Sequence, residues 1–439
     1  MMPKYKQFIF DSYSFDAATG VLQLHYSMDD ALHFTETYRF DFEYVEYDPD
    51  TLDRALQALF FLAGVSYYKT YVPPEIIIKS GSLDAQQAAF FSKTYQRGLG
   101  EFWYVNKLDP NTPVKFPTSS DPLQPIEENR SGEGLLVSVG GGKDSLVTIE
   151  LLRKSQEVAT WSLNHKSQLE PLVDVIGTKH LWVEREWDLQ LFELNKQDAL
   201  NGHIPISGIF ACVGTIVALL SGKHDVVMSN EQSANEPTLH YQGVAINHQY
   251  SKSQEFEQDY QEYLQHTLGN RVRYYSFLRP LSEVRIAEIF ANIGFEKYKG
   301  TFSSCNRAFV HTSDHMSWCG ECSKCAFIFM AMTPFVPREK LESLWGGKNL
   351  LLDPSLEHTY RKLLGIEGDK PLDCVGDIKE SRAAMRLAQQ QYPELKEKYQ
   401  FEIPEDYDYK TLGSHHMPPE IYEIFKASLA LLRPDGQSA

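Results

Sequence analysis

Apolar and polar positions alternate over Phe8 to Ser14, Val21 to Tyr26 and Phe34 to Phe42, separated by turn signals such as Ala18-Thr-Gly20. A period of two predicts half-buried strands, here a small antiparallel sheet. Helical spacing takes over at about 51–64 and 84–102, and a segment carrying Pro110, Pro113, Pro117, Pro122 and Pro125 then interrupts both periods. We read an N-terminal α+β domain over 1–109 and a proline-rich linker over 110–132. From Gly134 the pattern becomes a short apolar run, three glycines and a helical run. Further strand-like runs at Val158–Leu163, His180–Val183, Asp225–Ser229 and Val272–Leu278 alternate with helical ones near 188–199, 207–221, 254–267 and 282–293. That alternation predicts an α/β, doubly wound parallel sheet over 133–300, with ligands at the carboxyl ends of its strands. The remainder, 301–439, holds a cysteine cluster and mostly helical segments.

Length and charge narrow the function classes. A chain of 439 residues with 42% apolar composition is long enough for two or three cored domains. The opening MMPKYKQFIF has no signal-peptide character, and no run of about 18 uncharged apolar residues occurs, so a cytoplasmic protein without a membrane partner is expected. A formal charge of −17 argues against nucleic acid as a partner, because backbone binding needs clustered positive charge. A small anion needs only a local nest of N–H groups and a few cations.

The run Ser138-Val-Gly-Gly-Gly-Lys-Asp-Ser145 supplies such a nest. Gly140, Gly141 and Gly142 lie between strand and helix, where backbone N–H groups approach an anion and φ can become positive. Lys143 brings a charge, Ser138 and Ser145 bring hydroxyls, and Asp144 is suited to capping the helix or holding Mg²⁺. Substitution at Lys143 or Asp144 is expected to spare the fold. A Walker A loop is excluded because Val137 and Asp144 stand where it needs Gly and Ser or Thr. A dinucleotide fingerprint is excluded by three consecutive glycines.

Gly141-Gly-Lys-Asp-Ser145 after an apolar strand resembles the PP-loop of the ATP pyrophosphatases. More narrowly, the chain resembles the UDP-N-acetylmuramoyl-L-alanyl-L-glutamate epimerases of bacterial cell-wall synthesis. The likeness runs through the glycine loop, Gly202-His-Ile-Pro-Ile-Ser207, Ser229-Asn-Glu-Gln-Ser-Ala-Asn235, Tyr250-Ser-Lys-Ser-Gln-Glu-Phe-Glu257, Arg279-Pro-Leu-Ser282 and Ser304-Cys-Asn-Arg307. It implies ATP and Mg²⁺ as cofactors, a UDP-N-acetylmuramoyl-dipeptide as substrate and a functional partnership with an L-glutamate-adding muramyl ligase. The implied reaction inverts the terminal L-glutamate through an acyl-adenylate. The rival reading keeps the activation step and ends in amide, nitrile or sulfur transfer; a zinc module that contacts RNA is a third.

Residues are assigned on that basis. The loop residues, with Ser162 and Asn164 at the end of Val158–Leu163, are expected to hold the nucleotide. Ser207, Asn230, Glu231, Ser233, Asn235, Lys252 and Ser253 are expected at the substrate, although Ser207 and Ser253 also suit plain helix caps. The catalytic set is Asp144, Lys143, His203, Glu231 and Lys252. His203, His240 and His248 are structural by default, and one of them titrating near neutral pH would suit proton transfer.

Cys305, Cys319, Cys322 and Cys325 form C-x13-C-x2-C-x2-C, four soft ligands for one tetrahedral ion. Structural zinc is expected; an iron–sulfur cluster and unliganded thiols are the alternatives. Cys212 and Cys374 read as ordinary buried residues, with a thiol also able to serve as an epimerase base.

Overall fold

The computed structural model describes residues 4–120, 126, 132–309 and 315–432. The prolines at 122 and 125 lie outside the described residues. The strands are β1 (Gln7–Asp16), β2 (Val21–Met28), β3 (Leu32–Asp41), β4 (Glu75–Ile78), β5 (Leu135–Ser138), β6 (Val158–Leu163), β7 (His180–Glu186), β8 (Asp225–Met228), β9 (Leu239–Tyr241), β10 (Val244–Ile246) and β11 (Arg273–Ser276). Nine of them form one mixed sheet in the order β11-β8-β5-β6-β7-β3-β2-β1-β4, and β9 with β10 makes a separate hairpin. From β11 to β7 every pairing is parallel, whereas β3 joins β7 antiparallel and β1, β2 and β3 form a meander.

The three N-terminal strands therefore do not form a sheet of their own; they are the antiparallel flank of a larger one. Their alternation shows which residues are buried but not which strand the edge will meet. Three further elements carried too little periodicity to be read. Strand β4 has only three apolar residues, the helix Lys166–Ile176 contains Pro171, and the β9–β10 hairpin is short. The single helix expected over 84–102 is two, Ala85–Gly98 and Gly100–Val105, joined at Leu99. A Cβ on Gly98 would stand 2.6 Å from Pro205, so that close approach requires glycine.

Both faces of the parallel strands are buried, as a sheet covered by helices on each side must be. Leu136, Val226 and Tyr274 join a core with the helices Pro49–Ala63, Ile206–Ser221 and Gln254–Leu268. Leu135, Val137, Val227 and Tyr275 face the opposite core, filled by Lys143–Leu152, Glu283–Ile293, Ser323–Met332, Ile378–Gln391 and Pro419–Ala430. The C-terminal region thus helps cover one face of the parallel strands. None of the described helices is long and apolar enough to cross a membrane.

At the seam between the two halves of the sheet, Arg185 of β7 donates to Glu36 of β3 at 2.8 Å and to Ser66 at 3.0 Å. The Tyr38 hydroxyl donates to the same carboxylate at 2.6 Å, and both charged groups are excluded from water. Glu36→Ala would leave the guanidinium buried and uncompensated, at a cost of about 3–5 kcal/mol. The urea midpoint should fall accordingly, and adding Arg185→Met to Glu36→Leu should recover part of the loss.

Candidate active site

The first parallel strand, β5, sits in the middle of the parallel set, so the chain runs outward through β6 and β7 and returns through β8 and β11. At such a switch point the helices diverge and a crevice opens beyond the strand ends. A cavity of about 300 Å³ lies there. Ser138, Gly140, Gly142, Asp144 and Ser145 line it from the loop after β5, and Ser229 and Asn230 line it from the end of β8. Ser207, Lys252, Ser304, Lys324 and Cys374 complete its wall.

The structure requires glycine at two of the three loop positions. Gly140 has nothing within 4 Å of where a Cβ would be, Gly141 takes φ +89°, and a Cβ on Gly142 would stand 2.7 Å from the Ser304 hydroxyl. The helix Lys143–Leu152 starts without a side-chain cap, so its first N–H groups and its positive dipole end meet the loop. Ser303 N donates to Gly141 O at 3.0 Å, which fastens the loop to the segment leading into the cysteines.

Lys143 turns inward. It is fully buried and its ammonium is paired with both Asp144 and Glu283. Lys324 reaches Glu283 at 3.9 Å, and Glu380 accepts the Glu283 backbone N–H at 3.0 Å. Burial by itself would protonate Glu283, but Lys143 and Lys324 overcome it and hold its carboxyl below the ordinary value. Asp144 does not cap the helix; its carboxylate is partly exposed on the cavity wall.

The other assigned residues separate by location. Ser207, Asn230 and Lys252 face the cavity. The helix expected to be capped by Ser207 begins at Ile206 behind Pro205, which leaves Ser207 within its first turn. Ser162 donates to Val139 O at 2.9 Å, and Asn164 exchanges hydrogen bonds with the Arg185 backbone, so both brace strand ends. Glu231 is buried, and burial with the nearby Glu283 raises its carboxyl above the ordinary value. Ser233 is buried as well. Asn235 accepts from Gln254 N at 2.7 Å and Ser253 caps the following helix; both line a different cavity of about 430 Å³.

A polar chain behind the cavity carries little sequence signal. Lys252 donates to Cys374 Sγ at 3.2 Å, Cys374 Sγ lies 3.8 Å from His248 Nε2, and His248 Nδ1 is bonded to Glu101. His203 lies against His248 with ring centroids 4.4 Å apart and the rings tilted by 43°. Burial, reinforced by the charge of His248, lowers His203 to about 4. Glu101, His203 and His248 come close enough to surround an ion, but the direct Glu101–His248 hydrogen bond already closes that space. Spacing gives no hint of Glu101, Glu283 or Lys324, and for Cys374 it leaves an ordinary buried thiol and an epimerase base both open.

The four clustered cysteines converge. Cys305 and Cys322 sulfurs are 3.8 Å apart, as are those of Cys319 and Cys325, and all four lie within 4.8 Å of one another. Zinc–sulfur bonds of about 2.3 Å in a tetrahedron require edges of about 3.8 Å, so the cluster could hold an ion such as zinc. Backbone N–H groups of Arg307 and Cys325 donate to the Cys305 and Cys322 sulfurs at 3.3 and 3.4 Å, which favours thiolates.

Comparison with known proteins decides the family. Residues 1–277 match the MurL N-terminal domain and residues 301–402 the MurL C-terminal domain. A UDP-N-acetyl-alpha-D-muramoyl-L-alanyl-L-glutamate epimerase from Xanthomonas oryzae pv. oryzae is 37% identical over 95% of this chain and 96% of its own. Proteins of the same name from Salinispora tropica and a Micromonospora species are each 38% identical, over 88% of this chain and 85% and 87% of theirs. The chain belongs to this epimerase family. The epimerase is accordingly an isomerase. Its glycine loop, its two cavity lysines and the Cys374 thiol meet at one strand switch point.

The position of Lys143 changes one expectation about the fold. Lys143→Ala would leave Glu283 buried with only the more distant Lys324, at a cost of about 3–5 kcal/mol. Its denaturation midpoint should drop clearly, while that of Asp144→Asn should stay close to the unsubstituted protein.

Proposed function

We propose that the epimerase inverts the terminal L-glutamate of UDP-N-acetylmuramoyl-L-alanyl-L-glutamate after ATP has activated its α-carboxylate. The observation that carries this reading is the meeting, in one cavity, of an uncapped helix N-terminus behind three glycines with Lys252 and Lys324. Removing an α-proton beside a carboxylate would place a second negative charge next to the first. Converting the carboxylate to an acyl-adenylate removes that charge and provides an electron sink. In our reading the chain adopts the PP-loop ATP pyrophosphatase fold, and the loop N–H groups receive the departing pyrophosphate. Mg²⁺ would offset phosphate charge, and Asp144 is the side chain that would hold it, being on the cavity wall and not engaged as a cap.

Lys252 and Lys324 then serve as fixed cations for the carboxylate and phosphate groups. Burial works against the charge on Lys252, but Cys374 and Glu231 nearby raise its pKa and keep it protonated. After proton removal on one face and return on the other, hydrolysis releases AMP and the D-glutamyl product. We place this reaction in the cytoplasm, after an L-glutamate-adding ligase, with no nucleic-acid partner. The division into 1–109, 110–132, 133–300 and 301–439 is retained as the functional organisation, with a structural zinc in the last segment.

Turnover in D₂O should place deuterium at the glutamyl α-carbon only when ATP and Mg²⁺ are present, with pyrophosphate released and no change in product composition other than that label. Exchange without nucleotide, or a product carrying new nitrogen or sulfur, would refute the mechanism. For the metal, elemental analysis should find one zinc per chain. Removing it, or replacing Cys322 with Ser, should unfold the C-terminal region, because structural zinc binding is worth roughly 10–16 kcal/mol. Iron with sulfide would refute that assignment.

A further inference from the structure

Two cysteines, Cys212 and Cys374, lie outside the four-sulfur cluster, the first buried and the second half-buried, in opposite environments. Cys212 lies within the apolar helix Ile206–Ser221, where burial pushes its thiol up to about 12. Cys374 is on the cavity wall beside the glycine loop. Its Sγ accepts from Lys252 at 3.2 Å and faces His248 Nε2 at 3.8 Å, and Lys324 donates to its carbonyl. Lys370 holds the next two carbonyls, of Val375 and Gly376, at 3.4 and 3.3 Å, so the backbone carrying the thiol is pinned from two sides.

Among the described residues, the titratable side chains on this cavity wall are Asp144, Lys252, Cys305, Lys324 and Cys374. Asp144 is paired with Lys143, Cys305 belongs to the four-sulfur cluster, and the two lysines are cations. Glu231 and His203 do not line the cavity. Cys374 is left as the base with access to a bound substrate.

We propose that the Cys374 thiolate takes the α-proton on one face of the activated glutamyl carbon, and that His248, anchored by Glu101, stabilises that thiolate as its imidazolium partner. This rests on the acyl-adenylate reading above. The Cα–H bond breaks and an S–H bond forms, while the electron pair moves into the acyl-adenylate carbonyl. A proton from water then reaches the opposite face of the carbon. The Cys374 thiol, which lines the cavity, releases its proton to solvent after the product leaves, so one proton leaves and one enters per inversion.

The electrostatics agree with the placement. Burial raises the Cys374 pKa, but Lys252, His248 and Lys324 together outweigh it and hold the thiol at about 6. His248 moves the other way: burial lowers it, and Cys374 and Glu101 raise it to about 9. The groups facing this pair are the cations Lys252 and Lys324, His203 beside His248, Glu101 behind His248, Glu231 behind Lys252, and Lys370. Between those values a thiolate stands beside an imidazolium, a base poised at neutral pH with an acid behind it. As pH falls through about 6 the thiolate is protonated and inversion should decline, and as pH rises through about 9 the thiolate loses its imidazolium partner.

The test uses the full-length protein with UDP-N-acetylmuramoyl-L-alanyl-L-glutamate. Cys374→Ala and Cys374→Ser should lower inversion by about 100-fold or more, the range of a lost proton-transfer group. Substrate-dependent ATP–pyrophosphate exchange, which reads activation alone, should stay within about threefold. In the unsubstituted protein, iodoacetamide labelling of the Cys374 peptide, followed by mass spectrometry, should show a midpoint near pH 6 that Lys252→Met shifts upward. The labelled protein should exchange pyrophosphate without inverting. Near-normal inversion by either Cys374 variant or by the labelled protein, or labelling that appears only above about pH 8, would overturn the assignment. If the unsubstituted protein inverts its substrate without any ATP–pyrophosphate exchange, the activation reading fails instead.

Discussion

Charges taken out of water must be paired, and that constraint holds this site together. Lys143 follows directly on the glycine loop, yet its ammonium lies under the loop against Asp144 and Glu283. Glu283 begins a helix on the far side of the core, and its backbone is in turn held by Glu380. Lys324, from within the cysteine cluster, supplies the second cation. Four chain segments distant in sequence are therefore committed to one arrangement, because none of these groups can be stranded cheaply. The floor of the cavity is rigid for the same reason.

The two sides of the sheet contribute differently to that cavity. On one face, the helix after β5 brings the loop, Ser323–Met332 brings Lys324, and the segment before Ile378–Gln391 brings Cys374. On the other face, Ile206–Ser221 and the turn before Gln254–Leu268 bring Ser207 and Lys252. Only beyond the strand ends can groups from both faces meet. The N-terminal region takes part from a distance, through Glu101 bonded to His248.

Environment matters more than residue type in this molecule. The thiols of Cys212 and Cys374 move in opposite directions because one is buried among apolar side chains and the other stands on the cavity wall beside two lysines and a histidine. The same contrast divides His203, lowered by burial, from His248, raised by a thiolate and a carboxylate. Proton chemistry becomes feasible at neutral pH where such shifts point apart.

The chain by itself determined the features that short-range pattern encodes. Alternation over Phe8 to Phe42 marked the first strands, the run before Gly140 marked the central strand, and cysteine spacing marked a four-sulfur site. In each, a local repeat or spacing fixes geometry within a few turns of chain. Tertiary structure alone decided that β3 closes onto β7 and turns two expected sheets into one, because edge pairing depends on which strand arrives. It also turned Lys143 away from the cavity and gave Cys374 its cationic neighbours. Those outcomes depend on which distant side chains exclude water together, and a charge or thiol carries no mark of its eventual dielectric or partners in the residues beside it.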